Sequence, residues 1–203
     1  MRRHTYKGVV AAVLLALFLF ARGQLNSPLF APGPAASEDG LSVWFSPQGG
    51  CEAAIVHEIS NAKNTIDIQA YSFTSIPIEH ALADAQARGV RVRAVLDKVA
   101  AGEHYSGADY LFSHNIPVWL DGQQPIAHNK VIILDGQTVI TGSYNFTKQA
   151  EMENAENVLI IHGKPAIADA YSRNFQSHLD RSDQYAGVPG RGGGESDARG
   201  EKG

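Results

Sequence analysis

The chain of 203 residues has a single cysteine, Cys51. One thiol excludes an intrachain disulfide, and no Cys/His framework of zinc-site spacing exists. Cys51 opens a segment of helical periodicity, where a small buried hydrophobe is the ordinary role of an unpaired cysteine. Long apolar runs are missing too. GVVAAVLLALFLFA (8–21) has about fourteen residues, short of the roughly twenty that a bilayer-spanning helix needs. Positive charge is scarce. Residues 24–182 carry 10 Lys and Arg against 17 Asp and Glu, a net charge of −7. A protein that holds long duplex DNA by its general field would be basic, so any grip on a polyanion must come from a local patch or be transient.

The ends differ from the middle. Arg2, Arg3 and Lys7 precede the short apolar run, and small residues follow at Ala21 and Gly23. This order predicts a signal peptide over 1–23, with an uncleaved anchor at the membrane as the competing reading. Either places the domain outside the cytoplasm, periplasmic or secreted. Residues 24–40, rich in Pro, Ala, Ser and Gly, read as a linker. Residues 183–203 are Gly-rich and charged and read as a disordered tail. One folded domain is expected over 41–182.

Within it, strand-like alternation (65–73, 90–97, 116–120) exchanges with helical periodicity (51–63, 76–88), and Ser75 and Gly89 serve as start and stop signals. KVIILD (130–135) is a continuous apolar run, the pattern of a strand buried on both faces, and Asp135-Gly136 turns it into a partner strand. A further strand over 155–162 and a helix from Pro165 to Leu179 complete the domain. The fold class is α/β, a mixed β-sheet flanked by helices on both faces. Trp44 and Trp119 are expected in the core. Arg88, Arg91, Arg93 and Lys98 are either a solvated strand edge or a nucleic-acid track.

The chemistry concentrates in HNKVIILDGQTVITGSYN (128–145). His128 and Lys130 lie two apart, as do Ser143 and Asn145 beyond the turn, so a hairpin would gather all four at one sheet edge. An imidazole, an ammonium, a hydroxyl, an amide and the N–H groups around Gly142 suit a phosphodiester, whose cleavage needs positioning and charge neutralisation. His128 can attack phosphorus through an unprotonated nitrogen, while a carboxylate on the other nitrogen would fix its tautomer. Such a site requires neither metal nor cofactor. His57, His80, His104, His114, His162 and His178 lack comparable partners and read as ordinary.

The pattern His128-x-Lys130-x4-Asp135-x6-Gly142-Ser143-x-Asn145 resembles the HKD motif of the phospholipase D superfamily. AYSFT (70–74), RGV (88–90), TGSYNFTKQAE (141–151) and NAEN (154–157) are similar to its small, single-motif, EDTA-resistant bacterial endonucleases. The resemblance implies a homodimer in which two histidines face each other across one site. It assigns His128, Lys130, Asn145 and an orienting carboxylate, Glu156, to catalysis. Glu151 and Glu153 compete for that last role. Ser143 and Gly142 support the phosphate, and Asp135 has a supporting role. Nucleic acid is the implied substrate, with membrane phospholipid as the alternative.

Overall fold

The computed structural model describes residues 33–103 and 106–187. The signal-like segment, His104 and the end of the tail lie outside them. Nine strands form one mixed sheet in the order β1-β2-β8-β7-β6-β3-β4-β5-β9. In chain order the elements are β1 (Ala36–Glu38), β2 (Leu41–Phe45), α1 (Cys51–Asn61), β3 (Thr65–Ala70), α2 (Ile76–Ala87), β4 (Arg91–Asp97), α3 (Lys98–Ala101) and α4 (Ala108–Ser113). They continue with β5 (Val118–Asp121), β6 (Lys130–Leu134), β7 (Thr138–Gly142), α5 (Lys148–Met152), β8 (Asn157–Ile161), α6 (Pro165–Leu179) and β9 (Asp183–Gln184). β3, β4 and β5 run parallel, and the other pairings are antiparallel.

Strand alternation sorts the core into two layers. Ile66 and Ile68 of β3 and Ile132 and Leu134 of β6 pack with Ile55 and Ile59 of α1 and Ile78 and Leu82 of α2. Val131 and Ile133 of β6, with Val139 and Ile161, pack against Ala168 and Phe175 of α6 on the opposite face. β6 is therefore buried along its whole length, as its unbroken apolar run requires. Ser75 caps α2 by accepting the Ile78 N–H at 3.3 Å, with Pro77 in the first turn. Cys51 is fully buried at the start of α1, and burial, reinforced by the Glu151 charge, pushes its thiol up to about 12. Trp44 and Trp119 are half-buried against the two core layers.

Both sequence-drawn boundaries fall inside ordered structure. Ala36–Glu38 is a strand paired with β2 through a turn at Asp39 and Gly40, both at positive φ. Beyond residue 182, Asp183 and Gln184 pair with β5, and the Tyr185 N–H donates to the Val118 carbonyl at 2.8 Å. Each addition is too short to show periodicity, and pairing to an existing strand is what orders it. Three of the four residues of the basic stretch have partners within the chain. Arg93 is clamped to Asp67 through two 2.8 Å bonds and lies over the Phe175 ring. Arg88 caps the end of α1 on the Ile59 and Ser60 carbonyls, and Lys98 pairs with Asp183.

Candidate active site

One end of the sheet collects the ends of β2, β3, β4, β5 and β7 and the beginnings of β6 and β8. His128, Lys130, Gly142, Ser143, Asn145 and Glu156 all belong to this end. The segments that carry them are tied together by main chain. The Tyr71 N–H donates to the Asn129 carbonyl at 3.0 Å, and the Thr74 and Ser75 N–H groups share the Phe146 carbonyl at 2.9 Å each.

His128 is exposed, and its ring lies 4.7 Å from the Tyr71 ring, tilted by 54°. Lys130, on the first residue of β6, is 7 % exposed. Its Nζ donates to the His128 carbonyl at 2.9 Å and stands 5.2 Å from the centre of the Tyr71 ring. Burial lowers the Lys130 pKa below the ordinary lysine value, and the negative charge of Glu156 works in the opposite direction. An ammonium has three N–H donors, so the bond to His128 leaves two for a ligand.

Gly142 has φ 150, and a Cβ there would meet the Asn157 carbonyl oxygen at 2.2 Å. Only glycine lets the end of β7 approach β8 so closely. The Asn157 carbonyl then accepts the Ser143 and Tyr144 N–H groups at 3.2 and 3.3 Å. This corrects one expectation: those two N–H groups hold the two strands together and are not open donors for phosphate. The Ser143 hydroxyl donates to Glu156 at 2.6 Å and accepts the Asn157 N–H at 3.1 Å. Asn145 is half-buried, and its side-chain oxygen is buried without a partner among protein groups. Amide oxygen and nitrogen are nearly alike in shape, so a half-turn would place a donor at the same spot.

The carboxylates separate by role. Glu156 accepts from Ser143 and, at 3.2 Å, from the Asn154 amide. It binds the Ser143 hydroxyl, and its charge acts on Lys130. Glu151 caps α1, accepting the Gly50 and Glu52 N–H groups at 3.2 and 2.9 Å and the Tyr144 hydroxyl at 3.3 Å. It is an anion at a helix N-terminus. Asp135 lies at the opposite end of β6 from Lys130, about 17 Å away at roughly 3.4 Å per strand residue. It accepts the Lys63, Asn64 and Thr65 N–H groups at 2.9, 2.7 and 2.9 Å. Burial works against its charge, but these bonds outweigh that and hold its carboxyl below the usual range. Its supporting role is to tie the hairpin to the start of β3.

Part of the motif recurs at His162-Gly163-Lys164 and Asp169. There Gly163 turns the chain at φ 64, Lys164 flanks α6, and Asp169 pairs with Arg173 on that helix. No hairpin follows, and His162 ends the strand away from the site. Its ring faces Thr138 at 3.1 Å and Glu58 at 3.4 Å. Sequence reasoning missed Tyr71, whose place beside His128 depends on β3 pairing with β6. It also missed the buried contact of His178 with Asp121, made across 57 residues. Among the described residues no three His, Cys, Asp or Glu side chains converge as metal ligands would.

An exposed imidazole, a buried ammonium, an amide with an unpartnered oxygen and a hydroxyl–carboxylate pair at one sheet end suit the chemistry of a phosphodiester. A family profile described as "Cardiolipin synthase, PLD-like domain" matches residues 55–179. The chain is 41% identical over 146 residues to a protein of Rickettsia bellii named phospholipase D, covering 72% of each. Among solved structures it is similar to Nuc from Salmonella typhimurium, a phospholipase D family member. There the TM-score is 0.69 at 38% identity, covering 71% of this chain and 97% of that one. For NucT from Helicobacter pylori the TM-score is 0.66 at 25% identity, covering 71% and 98%. The chain belongs to the phospholipase D superfamily.

Proposed function

We propose that the protein is a metal-independent endonuclease that cleaves DNA, and RNA as a chemically equivalent diester, at a site completed by a second copy of the chain. The observation that carries this is one exposed His128 at an end of the sheet equipped for a phosphate. The chemistry calls for two imidazoles with different duties. His128 of one protomer attacks phosphorus, and the bond to the leaving oxygen breaks as the partner's His128 protonates that oxygen. The partner's His128, now neutral, takes a proton from water. That water attacks phosphorus and breaks the P–N bond of the phosphohistidine. Lys130 and the Asn145 amide hold the phosphate oxygens. Glu156 sustains the Lys130 charge, fixes Ser143 and orients a His128 ring across the dimer.

An exposed nucleophile on an open edge suits a polymer backbone that must be approached from the side. The apolar side chains of Phe45, Val99, Ile126 and Met152 are exposed on segments at this same end. They offer surface for a two-fold, self-complementary contact. Export, by a cleaved signal peptide or with the 1–23 segment retained as an anchor, belongs to the same reading. Among the described residues no helix is long and apolar enough to cross a membrane.

The names of the rickettsial relatives favour a second reading, hydrolysis of phospholipid headgroups. The two diesters share the chemistry and differ in what surrounds it. The test is plasmid nicking in excess EDTA by the purified protein, beside His128→Ala, with headgroup release from phosphatidylcholine vesicles run in parallel. Nicking by the parent alone supports the endonuclease. Headgroup release without nicking replaces it with the lipid reading.

A further inference from the structure

Asp97 ends β4 and Asp121 ends β5, and the two are register partners on neighbouring parallel strands at the site's end of the sheet. They are 2 % and 0 % exposed. A carboxylate buried this deeply persists only where hydrogen bonds replace its hydration. Oδ1 of Asp97 accepts the Val99 and Ala100 N–H groups at 3.0 and 2.8 Å, which caps α3. Its other oxygen, Oδ2, reaches across the sheet end to the Ala127 N–H at 2.8 Å. Asp121 accepts the Gln123 N–H at 3.1 Å through Oδ1, while Oδ2 is bound by His178. The connection 122–127, which delivers the chain to His128, is thus anchored at both ends by adjacent buried carboxylates.

We propose that Asp97 is a positioning residue for the phosphodiesterase reaction, acting on His128 through the Ala127 main chain. The inference rests on the reading of His128 as nucleophile. An exposed imidazole takes its place from its own backbone, and Ala127 is the residue before it, 4 % exposed with its N–H held by a single carboxylate oxygen. A displacement of about 1 Å at an attacking atom costs on the order of a hundredfold in rate.

The two oxygens of Asp97 divide capping from anchoring, so one substitution separates the roles. Asp97→Asn keeps the cap when its amide oxygen stays on the two α3 N–H groups, and Asn is a good capping residue. Its NH2 group then faces the Ala127 N–H, donor against donor, and the anchor is lost.

The experiment is steady-state hydrolysis of bis(4-nitrophenyl) phosphate by the full chain, its Asp97→Asn variant and its His128→Ala variant, with a thermal melt of each. The expected result for Asp97→Asn is a kcat lower by about 10- to 100-fold, with KM within about twofold, a parental melting temperature and pH-profile limbs in place. A kcat within twofold of the parent overturns the inference. So does a kcat that falls together with the melting temperature, which is the mark of a fold-only role. Parental turnover by His128→Ala overturns the underlying reading of the nucleophile. Loss in His128→Ala with full turnover in Asp97→Asn overturns this inference alone.

Discussion

The Nζ of Lys130 donates to the main-chain carbonyl of His128 at 2.9 Å, so the motif's two basic residues are joined by a bond as well as by spacing. The ammonium is buried and depressed in pKa by that burial. Burial costs that charge, and under the proposed function a phosphate is what it neutralises.

Lys130→Met should therefore remove activity and add stability. Loss of the phosphate-neutralising charge is expected to lower kcat by about 10²- to 10³-fold. Stability at pH 7 should rise by about 1 kcal/mol, or roughly 2–4 °C in Tm. The sign of the pH dependence follows from linkage. A lysine depressed on folding makes the unfolded chain the better proton binder, and stability rises with pH between the folded pKa and the unfolded value near 10.5. The gap between variant and parent should close as pH climbs through that window, which urea unfolding from pH 7 to 10.5 would read.

Glu156→Gln tests the opposing influence on the same group. Glu156 favours the Lys130 charge, so its neutral variant should lower the Lys130 pKa further. The alkaline limb of the pH–rate profile is expected to move to lower pH, with kcat down by about tenfold or more. An unmoved limb would mean that Lys130 does not set it.

Asp135→Asn is predicted to leave kcat unchanged and to destabilise by about 1 kcal/mol, because one of three backbone N–H groups loses its acceptor. Asn tolerates the left-handed φ of 54 at this position. The carboxyl is depressed on folding, so its contribution is fully present above the unfolded value of 3.8 and is lost as pH falls towards the folded one. Melting curves of parent and variant should converge on acidification through that range.

Gly142→Ala should do harm out of proportion to one methyl group. The Cβ meets the Asn157 carbonyl at 2.2 Å, and φ 150 suits only glycine. Expected are a loss of about 1–3 kcal/mol and a fall in kcat of more than tenfold, since Ser143 and Glu156 are aligned by that strand contact. A stable, fully active variant would show that β7 and β8 can part without cost.

The sequence displayed the helical periods, the buried strand β6, the hairpin and the residues of the site. Each is written in local order and spacing, as with Ser75 before α2 or the apolar run 130–134. What escaped lies in contacts between distant segments. Asp97 looked like the end of a strand because its partner, Ala127, is 30 residues away. The sequence favoured Glu156 over Glu151 only by its place before a strand, and the α1 N-terminus that claims Glu151 lies about 100 residues away. The donors near Gly142 looked open because Asn157, which occupies them, follows an intervening helix.

The burial of β6 on both faces turns the motif's spacing into a ruler. Lys130 opens the strand that His128 and Asp135 flank, and the core reads its alternate residues on opposite sides. A slip of one residue would exchange Val131 and Ile133 for Ile132 and Leu134 in the two layers, carrying Lys130 to the wrong side. Packing alone would reject such a slip before any substrate arrived. The interior of the protein thus proofreads the alignment of its own active site.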